Sequence, residues 1–140
     1  MIDFVIDANV LMSILISGKG GYRPILSFHN FIVPDFALIE IEKYNNVLKH
    51  KTKMSQNQLI EWTYFVFSKL TILPQYVLDN EILEKSTILL EKIDLKDTTY
   101  VALAMQLDLP LLTRDKPLYE GLKKQGFKKI ILFEDFLQAL

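Results

Sequence analysis

Short apolar segments alternate along the whole chain with longer segments that have the spacing of amphipathic helices. The apolar segments are rich in β-branched and aromatic residues, which is typical of buried strands. The alternation predicts an α/β fold, in which right-handed crossovers build a parallel sheet with helices on both faces. The predicted strands cover residues 2–6, 31–33, 71–73, 110–113 and 129–133, and the predicted helices cover residues 8–17, 35–49, 55–70, 79–92, 94 or 96 to 109, and 116–125.

The helical segments carry further expectations. GKGG at residues 18–21 ends the first helix, because glycine adopts backbone conformations that a helix cannot continue. Asp35 is expected to cap the helix after the second strand, and SQNQ at residues 55–58 has the spacing of a capping box. The mostly helical stretch 35–70 is expected to form a helical hairpin or an arm that projects from the sheet.

The composition limits the function classes. The 140 residues are 50% hydrophobic, which suits a single domain, residues 1–140, with a substantial core. The 16 basic and 17 acidic residues leave a net charge of −1, so a polyanion would need a local patch or a bound cation. The absence of cysteine excludes disulfides, thiolate nucleophiles and zinc sites built on Cys. No signal peptide or membrane span is recognisable, and we expect a cytoplasmic protein.

Acidic side chains stand at the edges of the predicted elements, where solubility does not require them. Asp7 follows the first strand and Asp115 follows the strand LLT, so in a parallel sheet both lie at the carboxyl edge. Glu40 lies in the apolar segment FALIEI, and Asp94 and Asp97 flank the start of DLKDTTYVALA. Clustered carboxylates raise one another's pKa, and a divalent cation removes that cost. Mg²⁺ and Mn²⁺ prefer oxygen ligands and suit phosphodiester hydrolysis by water.

Three segments in a fixed order resemble the PIN-domain family: FVIDANVLMS, PDFALIEIEKY and DLKDTTYVALAMQLDLPLLTRDKPL. The resemblance covers almost the whole chain. Within the family, the sequence is similar to the ribonuclease toxins of prokaryotic toxin–antitoxin pairs. It implies a metal-dependent endoribonuclease that hydrolyses RNA with Mg²⁺ or Mn²⁺ as cofactor. It also implies a small antitoxin partner and a homodimer, with no membrane involved.

The resemblance also implies roles for individual residues. The acids that match the family's catalytic and metal-binding positions are Asp7, Glu40, Asp97 and Asp115. The residues that would support this site are Asn9, Thr113 and Asp94.

Two of these assignments have a competitor nearby. Glu42 would face the site instead of Glu40 if the helix is rotated, and Asp94 would replace Asp97 if the register differs.

The candidate substrate contacts are basic. Arg114 and Lys116 flank Asp115 and are placed to meet a phosphate. KHKTK at residues 49–53, together with Lys43, is either an RNA contact or a solvated helix end. His29 and His50 have no partner at metal-ligand spacing, and the aromatic residues around position 64 are interpreted as core or dimer packing: Trp62, Tyr64, Phe65 and Phe67.

Two other functions fit parts of the sequence. A haloacid-dehalogenase-like phosphatase or a receiver domain also has an Asp after its first strand. The phosphatase pattern requires a second Asp where this chain has Asn9, and we find no acid pair or phosphoacceptor of the receiver type. A catalytically idle PIN fold that binds RNA or protein would keep the same acids. The nuclease hypothesis predicts that Asp7→Asn and excess chelator each abolish cleavage.

Overall fold

A computed structural model describes residues 2–140, which form one five-stranded parallel sheet with helices around it. The strands are β1 (Ile2–Ile6), β2 (His29–Pro34), β3 (Leu70–Leu73), β4 (Leu111–Thr113) and β5 (Ile130–Leu132). The helices are α1 (Ala8–Ser17), α2 (Tyr22–Phe28), α3 (Phe36–Lys43), α4 (Asn45–Lys51), α5 (Gln56–Lys69), α6 (Asn80–Leu90), α7 (Thr98–Leu107), α8 (Lys116–Lys124) and α9 (Phe133–Gln138). Short 3₁₀ turns, Gln75–Val77 and Leu95–Asp97, precede α6 and α7. The predicted α/β class is confirmed.

The strand order creates a crevice at the middle of the sheet. The order is β3-β2-β1-β4-β5, and every neighbouring pair is parallel. The chain moves outward from β1 through β2 to β3, and then crosses to the other side of β1 for β4 and β5. The order therefore reverses between β1 and β4. In open α/β sheets, ligands bind beyond the carboxyl ends of the strands at such a reversal.

The central strands are buried on both faces. Val5, Ile6, Leu111 and Leu112 each have 0% exposed surface. Successive strand residues point to opposite faces, so helices cover both sides of the sheet, as predicted. Burial of one such aliphatic side chain contributes about 1.5–3 kcal/mol. This core fixes the two strand ends that flank the crevice.

The helical insertion between β2 and β3 packs against α1. It contains α3, α4 and α5, and each of these helices contacts α1. Trp62 of α5 is buried, and its Nε1–H donates to the carbonyl oxygen of Ile14 in α1 at 2.8 Å. The predicted projecting arm is therefore wrong, because the large aromatic side chain of α5 finds its burial and its hydrogen-bond acceptor on α1.

The predicted helix caps are confirmed in part. The capping box is present: the Gln58 N–H donates to Ser55 Oγ at 3.3 Å, and the Ser55 N–H donates to Gln58 Oε1 at 2.9 Å. Asp35 occupies the N-cap position of α3, as predicted, but its side chain makes no capping hydrogen bond. The short helices α2 and α9 were not predicted. Within residues 2–140, no helix has the length and apolar character needed to cross a membrane.

Candidate functional site

A cleft of about 470 Å³ opens at the carboxyl edge of the sheet. Three acids from separate parts of the chain line it: Asp7 after β1, Glu40 of α3, and Asp97 in the 3₁₀ turn before α7. Glu42 is exposed outside the cleft, where its carboxylate accepts a hydrogen bond from the Asn45 side chain at 3.2 Å. Of the two candidates on α3, the fold thus brings Glu40 into the cleft.

Asp7 is buried and held by two hydrogen bonds. Its Oδ1 accepts from the Val10 N–H at 2.9 Å, which caps α1, and its Oδ2 accepts from the Thr113 hydroxyl at 2.6 Å. Thr113 Oγ1 in turn accepts from the Asp115 N–H at 3.0 Å, which leaves the hydroxyl proton directed at Asp7. Burial raises the pKa of Asp7 to about 6 against the opposing effect of these hydrogen bonds, and the charges of Asp115 and Glu40 raise it further. Asp7 therefore both caps a helix and faces the cleft.

Asp97 has a buried carboxylate oxygen without a partner. The residue is 7% exposed, and its Oδ2 accepts no hydrogen bond from any group within residues 2–140. Burial raises the pKa of Asp97 to about 7, and the charges of Asp7, Asp94 and Asp115 add to the rise. A buried carboxylate oxygen without a partner is costly, so its environment favours either a proton or a cation at this atom.

Asp94 is engaged elsewhere. It does not line the cleft, its Oδ1 accepts from the Lys96 N–H at 3.1 Å, and its Oδ2 lies 3.4 Å from Lys96 Nζ. The nearby charge of Asp94 raises the pKa of Lys96. Of the two acids at the start of α7, Asp97 is therefore the one that lines the cleft and has a buried oxygen without a hydrogen-bond partner in the described part of the chain.

Tyr100 is a residue of the cleft that the sequence did not single out. It is buried on α7, and its hydroxyl donates to Glu40 Oε1. Burial and the Glu40 carboxylate raise the pKa of this hydroxyl, so it stays protonated and remains a donor. A signal existed in the sequence, because a Tyr at a core position requires a hydrogen-bond partner that a Phe does not.

Asp115 lies beside the cleft rather than on its lining. Its Oδ1 caps α8 by accepting from the Leu118 N–H at 3.0 Å. Its charge is nonetheless close enough to raise the pKa of both Asp7 and Asp97. Asp115 thus combines a structural role with an electrostatic contribution to the cleft.

Polar and basic side chains also line the cleft. They include Asn9, Lys51, Lys96 and Arg114. Lys51 belongs to the basic stretch 49–53, whereas Lys116 lies outside this cleft and forms an exposed ion pair with Glu134 at 3.7 Å. The cleft therefore presents acids together with cations that a polyanion can contact.

The acids do not form a closed cage. In the part of the chain that the structure describes, no group of three or more His, Cys, Asp and Glu side chains is arranged to hold a metal ion. The four acids singled out in the sequence therefore share one edge of the sheet without converging on a single point.

The sequence of residues 5–133 matches the profile of the PIN domain. The chain belongs to the PIN-domain family. The matched residues extend from β1 to the start of α9 and include every residue that lines the cleft. The resemblance noted in the sequence is confirmed for the family. At the level of individual proteins, no curated sequence matches this PIN domain.

Solved structures share the fold of this PIN domain. PAE2754 from Pyrobaculum aerophilum is 14% identical with a TM-score of 0.69, and the match covers 99% of this chain and 88% of that chain. A toxin–antitoxin complex from Klebsiella pneumoniae contains a chain that is 17% identical with a TM-score of 0.59, covering 91% of this chain and 94% of that chain. The structure of VapBC2 from Rickettsia felis, bound to a DNA fragment from its promoter, contains a chain that is 14% identical with a TM-score of 0.59. The match covers 94% of this chain and 97% of that chain. At these identities the likeness shows the fold alone.

Proposed function

We propose that this PIN domain is a metal-dependent endoribonuclease that hydrolyses RNA phosphodiester bonds in the acidic cleft. The observation that carries the proposal is the buried, unpartnered Oδ2 of Asp97, in a cleft that Asp7 and Glu40 also line. Acids whose pKa is raised by burial, gathered in a cleft at a strand-order reversal, are typical of functional sites. Family membership supports the same activity, since PIN domains are generally nucleases.

The residues present suit Mg²⁺ or Mn²⁺. The side chains of the cleft that can ligate a metal offer oxygen, the donor that these cations prefer. Mg²⁺ usually takes only one or two protein carboxylates and completes its shell with water and substrate phosphate oxygens, so it does not require a closed cage. The ligands of one or two such cations would come from Asp7, Glu40, Asp97 and Asp115. When bound, the cation makes water a nucleophile at neutral pH and offsets charge on the phosphorus oxygens.

Neighbouring side chains hold two of the acids in a fixed orientation. Thr113 donates to one oxygen of Asp7 and the Val10 N–H donates to the other, so each oxygen keeps a lone pair for a cation. Tyr100 fixes the carboxylate of Glu40 through its hydroxyl. Both contacts limit side-chain rotation, which holds the acids in one geometry before substrate binds. Thr113 and Tyr100 are therefore positioning residues.

The other side chains of the cleft suit a nucleic acid strand. Lys51 and Arg114 supply positive charge for the phosphate backbone. Tyr44 is 47% exposed and lies in the same lining, where its ring can stack with an unpaired base.

The toxin role is the biological context that we propose for this activity. Two of the similar structures come from toxin–antitoxin assemblies, and their fold is shared over nearly the whole chain. On this proposal, residues 1–140 form a single cytoplasmic domain that acts as a homodimer, and a small antitoxin protein inhibits it.

The test is RNA cleavage by the purified protein in Mg²⁺ or Mn²⁺, with and without excess chelator. Glu40→Gln and Glu42→Gln form a matched pair, because the same change is made two residues apart on α3, once inside the cleft and once outside it. We expect Glu40→Gln to lower kcat by at least about tenfold and Glu42→Gln to leave it unchanged. Cleavage that persists in chelator would reject the mechanism. A folded protein that binds RNA with metal present but never cleaves it would be the binding module instead.

A further inference from the structure

A second cleft, of about 300 Å³, adjoins the acidic cleft and shares Ser13 and Arg114 with it. We call it the adjoining cleft. It is further lined by Tyr22, Lys116, Phe133 and Glu134. Since Arg114 follows β4 and Phe133 follows β5, the adjoining cleft lies beyond the carboxyl ends of the two strands on the far side of the order reversal. The two clefts therefore run side by side along one edge of the sheet.

We infer that the adjoining cleft binds the nucleotide next to the phosphodiester that is cut, with its base against Tyr22 and a phosphate on Arg114. The inference rests on the proposed ribonuclease function, because it names how the same substrate continues past the acidic cleft. A volume near the lower end of ordinary ligand pockets, roughly 300–1,000 Å³, suits one unpaired nucleotide.

Arg114 connects the two clefts. Its side chain is exposed, it lines both clefts, and no acidic group within residues 2–140 forms an ion pair with it. A guanidinium binds phosphate through a planar fork of N–H donors, which fixes the direction of the phosphate as well as its charge. A phosphate bound at Arg114 would place one nucleoside over each cleft.

Tyr22 and Phe133 give the adjoining cleft an aromatic wall. Their rings are stacked, with centroids 6.3 Å apart and an interplanar angle of 10°. Phe133 is 3% exposed, whereas Tyr22 is only partly buried, so Tyr22 is the member of the pair with surface left for a ligand. Aromatic side chains stack with any base, and loss of one such contact weakens binding roughly five- to 150-fold.

An ion pair in the adjoining cleft distinguishes Lys116 from Arg114, the other residue predicted to contact phosphate. Lys116 Nζ lies 3.7 Å from Glu134 Oε1, so a carboxylate already offsets part of its charge, whereas Arg114 has no such partner within residues 2–140. Glu134 also adds a carboxylate acceptor close to the aromatic wall, and carboxylates accept hydrogen bonds from the exocyclic amino groups of bases. We therefore assign the phosphate to Arg114, and the base edge to the Lys116–Glu134 pair.

The test measures RNA binding and RNA cleavage separately. Binding of a fluorescently labelled single-stranded oligoribonucleotide is followed by anisotropy in excess chelator, and cleavage of the same RNA is followed in Mg²⁺. We expect Tyr22→Leu to weaken binding roughly tenfold and to raise KM more than it lowers kcat, while Tyr22→Phe, which keeps the ring, binds within about twofold of wild type. The matched control is Tyr76→Leu, since Tyr76 is 87% exposed and lines neither cleft. Arg114→Gln should weaken binding and reduce its salt dependence.

The outcomes separate this inference from the proposed function. If wild type cleaves RNA and Tyr22→Leu binds as tightly as wild type, the inference is overturned and the ribonuclease proposal stands. If Tyr22→Phe weakens binding as much as Tyr22→Leu, stacking is not the interaction and the inference is also overturned. If no metal supports cleavage but Tyr22→Leu still loses affinity for the oligonucleotide while Tyr22→Phe does not, the activity is rejected and the adjoining cleft remains a nucleotide site.

Discussion

Two buried side-chain atoms have no hydrogen-bond partner within residues 2–140, and they lie at opposite edges of the sheet. Asp97 Oδ2 is at the carboxyl edge, and His29 Nδ1 is at the amino edge, where His29 begins β2. The His29 ring contacts three aromatic rings, those of Phe4, Phe31 and Phe136, at centroid distances of 5.9, 6.1 and 5.3 Å. Such edge-to-face and tilted contacts offset part of the cost of the missing hydrogen bond.

Asp97 has no comparable compensation. The charges of Asp7, Asp94 and Asp115 oppose its ionisation, and the charge of Lys96 offsets only part of their effect. The aromatic edge therefore contributes stability, whereas the acidic edge lowers it in the metal-free protein. A buried atom without a partner is therefore a functional signal only when its surroundings fail to compensate it.

The largest effect should come from removing the uncompensated charge. Asp97→Asn keeps the size of the side chain but removes the negative charge, and we expect cleavage to fall by at least about a hundredfold, the upper end of what loss of a supporting metal contact costs. The melting temperature of the variant should also no longer rise on adding Mg²⁺. Steady-state cleavage and thermal melts check both.

Asp94→Asn is the matched control for that experiment. Asp94 is part of an exposed pair with Lys96, and such pairs contribute about 0–1 kcal/mol, so activity should change by no more than a fewfold. If Asp97→Asn were fully active, or if Asp94→Asn had the larger effect, the assignment of the two acids would be reversed.

The second prediction concerns the aromatic edge of the sheet. Phe31 is fully buried and packs against Phe4, His29 and Phe136, so Phe31→Ala should lower the free energy of unfolding by about 3–5 kcal/mol. Urea unfolding measures this loss. Phe31→Leu keeps most of the volume and should cost less than about 1.5 kcal/mol, which guards against a variant that fails to fold. For folded protein, kcat should stay within about twofold of wild type; a large loss would mean that this edge also serves catalysis.

Most of the fold was predictable because its signals are local. Five apolar runs, their turns and the Ser55 capping box identify the strands and several helix ends without any knowledge of tertiary contacts. The exceptions have physical reasons. α2 contains Pro24 in its first turn and follows two glycines, so propensity does not favour it, and α9 begins directly after β5 in a run that continues the strand pattern.

The site was only partly predictable, because its geometry depends on how helices rotate and pack. The sequence could not decide between Glu40 and Glu42, since that choice follows from the face of α3 that packs against the sheet. The hydrogen bond from Tyr100 to Glu40 joins two different helices, and no local pattern encodes it. Asp7 both caps α1 and lines the cleft, and its place after a strand does not by itself indicate that one side chain does both.

A smaller effect is expected when pH changes the charge of the acidic edge. The pKa is raised to about 6 for Asp7 and to about 7 for Asp97, so between about pH 4 and pH 7 the folded, metal-free protein binds protons that the unfolded chain has lost. The contribution of these two acids to stability should therefore be greatest near pH 4 and fall as pH rises to 7. The cleft opens to solvent, which screens the charges, so we expect a loss on the order of 2 kcal/mol.

Urea unfolding in chelator across this pH range measures the loss. Mg²⁺ should reduce the slope, because a cation at the acids favours their ionised form, and Asp97→Asn should reduce it without Mg²⁺. A stability that rises from pH 5 to pH 7 in chelator would contradict the assigned cause.

The smallest effect is expected at the other unpartnered atom. His29→Phe replaces Nδ1 with carbon while keeping an aromatic ring among Phe4, Phe31 and Phe136, so the gain from removing an unsatisfied polar atom and the cost of a small change in shape should nearly cancel. We expect the free energy of unfolding to change by less than about 1 kcal/mol and RNA cleavage to be unaffected. His29→Ala, which removes the ring as well, is the control and should be clearly less stable. A loss of cleavage in folded His29→Phe would show that the imidazole serves function, and the contrast between the two edges would then fail, because an unpartnered atom in an aromatic cluster would carry the same meaning as one among acids.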